Sequence, residues 1–110
     1  MFERSRKYYL YSKPADMRKS FYTLSALVTS QMKLDVMNGA SYVFINRKRT
    51  HMKVLTWEGD GFSLYFKKLE RGTFEHPDSE NGYQISHEKL ILILAGIEIK
   101  KVKKRVRISL

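Results

Sequence analysis

Arg47, Lys48 and Arg49 stand together in the run Asn46-Arg47-Lys48-Arg49-Thr50-His51-Met52-Lys53, and Lys53 adds a fourth cation close by. Guanidinium forks pair bidentately with phosphate oxygens, while ammonium groups act as point charges. The run therefore reads in two ways: as a solvated loop, or as a basic finger that touches a nucleic-acid backbone or enters a groove. A second cluster comprises Lys100, Lys101, Lys103, Lys104, Arg105 and Arg107, six of eight consecutive residues. Such a run repels itself and stays solvated, and it also gains affinity for nucleic acid through counterion release. A third is Pro14-Ala15-Asp16-Met17-Arg18-Lys19. Here Pro14 ends a strand and Asp16 caps a helix. Arg18 and Lys19 then fall in the first helical turn, where cations oppose the dipole, and this makes the turn a candidate phosphate cradle.

Charge is the strongest compositional feature. Twenty-one Lys and Arg against eleven Asp and Glu give a net charge of +10. Between Glu58 and Glu88 there are seven acids and three bases, a local −4, so the remainder carries +14. A basic surface with an acidic counter-face orients polyanions: DNA, RNA or anionic lipid. Simple solubility is the competing explanation.

Catalytic patterns are missing. His51, His76 and His87 show no metal-ligand spacing, and His87-Glu88 side chains diverge on a helix. There is no Gly-x-Ser-x-Gly, phosphate loop or dinucleotide fingerprint. The acids sit at caps and turns rather than in a set that would converge on a metal pair. Zero cysteines exclude disulfides and thiolate chemistry and fit a reducing cytoplasm. The longest apolar run, Leu90–Ala95, falls far below the roughly 20 residues that span a bilayer. The first residues carry early charge without an apolar core, so no signal peptide is expected. We expect no enzyme activity, cofactor, metal or membrane partner.

The elements that must position these clusters follow from hydrophobic period. Tyr8–Tyr11 favours a strand. Met17, Phe21, Leu24, Val28 and Met32, widened by Tyr22 and Leu27, form one face of a helix over about 16–33. Tyr42–Ile45 is apolar on both faces, as a central strand requires. Met52–Trp57 and the alternating Phe62–Lys67 complete a meander over about 41–70, joined by links short enough for hairpins. Trp57 and Phe62 are expected to join the core across Glu58-Gly59-Asp60-Gly61. Ser86 caps a second helix ending near Gly96, and the apolar run Leu90–Leu94 predicts that it is largely buried. The expected fold is α+β: a three- to five-stranded, mainly antiparallel sheet packed against two helices, at about 16–33 and 86–96. One domain covers 1–99. Residues 100–110 form a basic tail or an edge strand.

The order of motifs carries a resemblance. Pro14-Ala15-Asp16-Met17-Arg18-Lys19, then Tyr42-Val43-Phe44-Ile45-Asn46-Arg47-Lys48-Arg49, Lys53–Phe62 and Lys67–Phe74 resemble the TnpB-type accessory proteins of insertion-sequence family 66. The similarity runs from about residue 8 to 99. This family is distinct from the large RNA-guided nucleases that share the TnpB label. The resemblance implies a protein encoded beside a separate transposase, which assists transposition without performing strand transfer and has no established catalytic residues to carry over. Ser20 departs from the glycine expected at its position, and the tail is a variable region. Three functions compete. The first is a DNA-binding accessory factor acting on insertion-sequence ends or without specificity. The second is a module that docks on the transposase through the Glu58–Phe62 turn. The third is a small basic ribonuclease.

Overall fold

The computed structural model describes residues 2–77 and 83–96. Five strands form one sheet in the order β4-β3-β2-β1-β5: β1 is Tyr8–Leu10, β2 Ser41–Ile45, β3 His51–Trp57, β4 Phe62–Lys68 and β5 Gln84–Ile85. The meander β2-β3-β4 is antiparallel and in full register, from Ile45 opposite Met52 to Trp57 opposite Phe62. The strand buried on both faces, β2, is central. One pairing departs from the antiparallel rule: β1 runs parallel to β2. Parallel neighbours need a crossover of a dozen or more residues. The segment between them supplies it and carries the first helix, α1 (Phe21–Leu27), which continues as a π-helical turn over Val28–Met32.

The two helices lie on opposite faces because β2 alternates. Tyr42 and Phe44 pack with Leu24, Val28 and Met32 of α1 and its π turn. Val43 and Ile45 pack with Leu90 and Ile93 of α2 (His87–Ala95). Both cores are closed by large side chains, so the sheet is the middle of three layers.

The first helix starts five residues later than the period implies. Asp16 does not cap it. Its carboxylate instead accepts from the Arg18 backbone N–H at 2.9 Å and from the Arg18 guanidinium at 2.6 Å. These bonds turn the chain before a helix can propagate. Ser20 is the N-cap residue, and its backbone N–H donates to Thr23 Oγ1 at 3.0 Å. Tyr22 does not widen the buried face; it is 88% exposed. The widening at Val28 has a local cause. Ser25, Thr29 and Ser30 donate their hydroxyls to carbonyls four residues back, which competes with the helical ladder and bends it.

The second helix matches its expected bounds. The Ser86 hydroxyl accepts from the Lys89 N–H, and Gly96 follows with φ of 74°. A Cβ on Gly96 would meet the movable Leu69 side chain at 2.9 Å, so it is the left-handed conformation, more than space, that favours glycine. Burial is smaller than the apolar run suggests. Leu90 and Ile93 are buried, whereas Ile91 and Leu92 face solvent, because α2 contacts the sheet on one side only.

Tyr42 anchors the return into β2. Its hydroxyl faces the Asp35 carbonyl at 2.9 Å and Asn38 Oδ1 at 2.8 Å. Burial pushes its pKa up to about 12, against an ordinary 10. The folded state therefore holds the neutral phenol, while the unfolded chain ionises from pH 10 upward. Stability is fully present below pH 10 and declines as pH rises toward 12. Tyr42→Phe, which cannot ionise, is expected to flatten that decline in urea midpoints measured across pH 9 to 12. Burial also raises the Tyr8 pKa, so some slope remains.

Candidate nucleic-acid interface

The candidate cations fall into separate environments. Asn46 builds the β2–β3 loop: its side-chain carbonyl accepts from the N–H groups of Thr50 at 2.9 Å and His51 at 3.0 Å. The Arg49 N–H donates to the Asn46 carbonyl. Closing so tight a loop drives Arg49 to φ 58°, a left-handed conformation that costs a residue with a Cβ about 1 kcal/mol. Arg47, Lys48 and Arg49 are all exposed. Among the described residues no carboxylate lies within salt-bridge distance of any of them.

Neighbouring segments brace this loop. The Leu69 N–H donates to the Thr50 carbonyl at 2.9 Å, and the Phe74 N–H to the Arg49 carbonyl at 2.7 Å. On the other side, Ser12 and Pro14 join Asn46, Arg47, Arg49 and His76 around an open cleft of about 220 Å³. Lys13, Lys68 and Arg71 lie exposed on these bracing segments. Sequence reading did not select them, because they are isolated along the chain and meet only where β1, β2 and β4 end together.

Lys53 is placed otherwise than the sequence cluster suggests. Its ammonium donates to the carbonyls of Met17 at 2.7 Å and Lys19 at 2.8 Å. It ties the segment before α1 to β3 and is not free for phosphate. Lys53→Met orphans two carbonyls and loses two charge-assisted bonds. We expect it to destabilise the fold by about 2 kcal/mol in urea denaturation, with the salt dependence of any nucleic-acid binding unchanged. Arg18 is held on Asp16, and that pair holds the Asp16 carboxyl down at about 2. Both Arg18 and Lys19 precede the N-cap, so the phosphate cradle expected at the helix start is not formed. Lys100, Lys101, Lys103, Lys104, Arg105 and Arg107 lie outside the described residues.

The described acids between Glu58 and Glu88 form no single counter-face, because the chain reverses direction between them. Glu58 and Asp60 sit at the β3–β4 hairpin, Glu70 and Glu75 near the basic loop, and Glu88 beside Arg4 at 3.9 Å. Polarity survives along the sheet instead. Among the described residues, the loop end holds Lys13, Lys19, Arg47, Lys48, Arg49, Lys68 and Arg71 against two carboxylates, Glu70 and Glu75, while Asp78, Glu80 and Glu98 lie outside the described residues. At the other end, Arg4, Arg6, Lys7, Lys33 and Lys89 are matched by Glu3, Asp35, Glu58, Asp60 and Glu88. The charges of Arg18 and Asp16 meet each other, and the ammonium groups of Lys53 and Lys67 are taken up by backbone carbonyls, Lys67 by that of Leu94 at the end of α2.

The histidines are engaged locally. His51 Nδ1 meets the Thr50 hydroxyl at 2.7 Å, His76 Nε2 the Tyr11 carbonyl at 3.1 Å, and His87 Nε2 the Phe2 carbonyl at 2.9 Å. Among the described residues no three His, Asp or Glu side chains group to hold a metal ion, and no helix is long and apolar enough to cross a membrane.

Residues 6–104 match the family described as IS66 Orf2-like protein. The chain belongs to the IS66 Orf2-like family. The uncharacterized protein y4hO of Sinorhizobium fredii is 37% identical over 84 residues, covering 76% of this chain and 73% of that protein. The uncharacterized protein y4jC of the same organism is 32% identical over 95 residues, covering 86% and 81%. No solved structure matches the chain. The IS66 Orf2-like family is one of insertion-sequence accessory proteins and is not the transposase. The β2–β3 loop, its bracing segments and both helices fall within the matched residues.

Proposed function

We propose that this IS66 Orf2-like protein binds DNA through the loop end of its sheet and assists transposition without catalysing it. The observation that supports the reading is the charge polarity among the described residues: seven cations to two carboxylates at one end, against equal numbers at the other. Arg47, Lys48 and Arg49 meet phosphates directly. Lys13, Lys68 and Arg71 extend the contact along neighbouring segments. Arg49 supports the reading further, since a strained, exposed arginine adds nothing to the core and glycine would fit its backbone better. Lys100, Lys101, Lys103, Lys104, Arg105 and Arg107 lie outside the described residues and add charge in the sequence alone.

The test is binding to duplex fragments of insertion-sequence ends by fluorescence anisotropy. With about six phosphate contacts, affinity is expected to fall roughly a thousandfold between 50 and 200 mM salt. Absence of binding at 50 mM would sink the reading.

A further inference from the structure

The residues of β4 that face α1 are Phe62, Leu64 and Phe66. The first two pack into the core on that side. Phe66 does not, and remains 54% exposed. Its orientation is nevertheless held. It lies opposite Lys53, whose ammonium stands 5.3 Å from the ring centroid and is itself fixed on two backbone carbonyls. The His51 ring stacks beside it, with centroids 5.8 Å apart and an interplanar angle of 23°. The next residue of β4 on this face is Lys68, paired with His51, and beyond it the chain bonds to the basic loop at Thr50.

A lone exposed aromatic on a protein surface is ordinary. This ring differs in two respects: its neighbours fix its plane, and it borders the cationic end of the sheet. Aromatic rings flanked by backbone-tracking cations are the composition of sites that hold single-stranded nucleic acid, where bases stack on the ring and phosphates follow the cations. A duplex buries its base faces in its own stack and offers this ring nothing, while an unpaired strand offers one face per nucleotide. Building on the DNA reading above, we propose that Phe66 is a base-stacking platform and that the preferred ligand is single-stranded DNA.

The experiment compares oligothymidylate with a duplex of the same length, using the full chain and fluorescence anisotropy at 50 mM salt. The single strand is expected to bind more tightly. Phe66→Ala is expected to weaken oligothymidylate binding about fivefold to a hundredfold and to leave duplex binding unchanged, while the urea midpoint falls modestly through loss of the ring's contacts with Lys53 and His51. Phe66→Trp is expected to keep the affinity, and the emission it adds over Trp57 is quenched when oligothymidylate binds. Unchanged oligothymidylate affinity in Phe66→Ala, preference for the duplex, or tighter binding of oligouridylate overturns the proposal. If neither strand form binds, the DNA reading falls and this inference falls with it.

Discussion

Replacing Arg47, Lys48 and Arg49 together by alanine is expected to remove most DNA binding at low salt while leaving the fold intact. Each phosphate contact contributes about 0.9 to the slope of log affinity against log salt, so losing three reduces the slope by about 2.7. The ratio of wild-type to variant affinity should then shrink about 40-fold between 50 and 200 mM salt. A uniform loss at both salts would point to misfolding or to an apolar contact and would count against the assignment. The fold should survive, because all three side chains are exposed and unpaired among the described residues. Arg49→Gly sharpens the test. It relieves the left-handed strain at φ 58°, so it is expected to raise stability by up to about 1 kcal/mol while weakening DNA binding. Stability and binding moving in opposite directions cannot come from unfolding. Equal binding by Arg49→Gly and wild type would remove Arg49 from the interface.

Phe74→Ala is expected to have the largest effect on stability. Phe74 is fully buried although it lies outside every helix and strand. It fills the α2 side of the core with Leu10, Ile45, Met52 and Ile93, and its N–H holds the Arg49 carbonyl at 2.7 Å. Truncating a buried phenylalanine costs about 3–5 kcal/mol through lost transfer energy and an unfilled cavity. Total stability for a chain of this size is about 5–15 kcal/mol. A fall of roughly 15–30 °C in Tm is expected, read by calorimetry. Because the ring braces the segment that holds the basic loop, DNA binding should also weaken, but with the salt slope of the wild type. A Tm within a few degrees of wild type would show that the site collapses around the smaller residue.

These two residues show where sequence reading stops. Phe74 gave no signal, since it belongs to no repeating pattern; its burial follows from β4 returning beside the β2–β3 loop. Lys53 gave a misleading one. Four residues from Arg49 it reads as part of the same cluster, yet strand alternation turns it toward α1, where two carbonyls take its charge. Asp16 suits a helix cap by type and position. The competing bonds to Arg18 are equally local, and only the folded chain shows which prevail.

Local sequence alone determined the meander and the centrality of Tyr42–Ile45, through hydrophobic period, and the cap at Ser86 and the stop at Gly96, through residue type, because each depends on neighbours within a few positions. The basic loop between β2 and β3 was legible for the same reason. The tertiary structure alone decided the parallel pairing of β1 with β2, the placing of the helices on opposite faces, and which cations gather at one end of the sheet. Lys13, Lys68 and Arg71 join Arg47, Lys48 and Arg49 only because strands distant in the chain terminate side by side, and pairing over such distances leaves no local trace in composition or spacing.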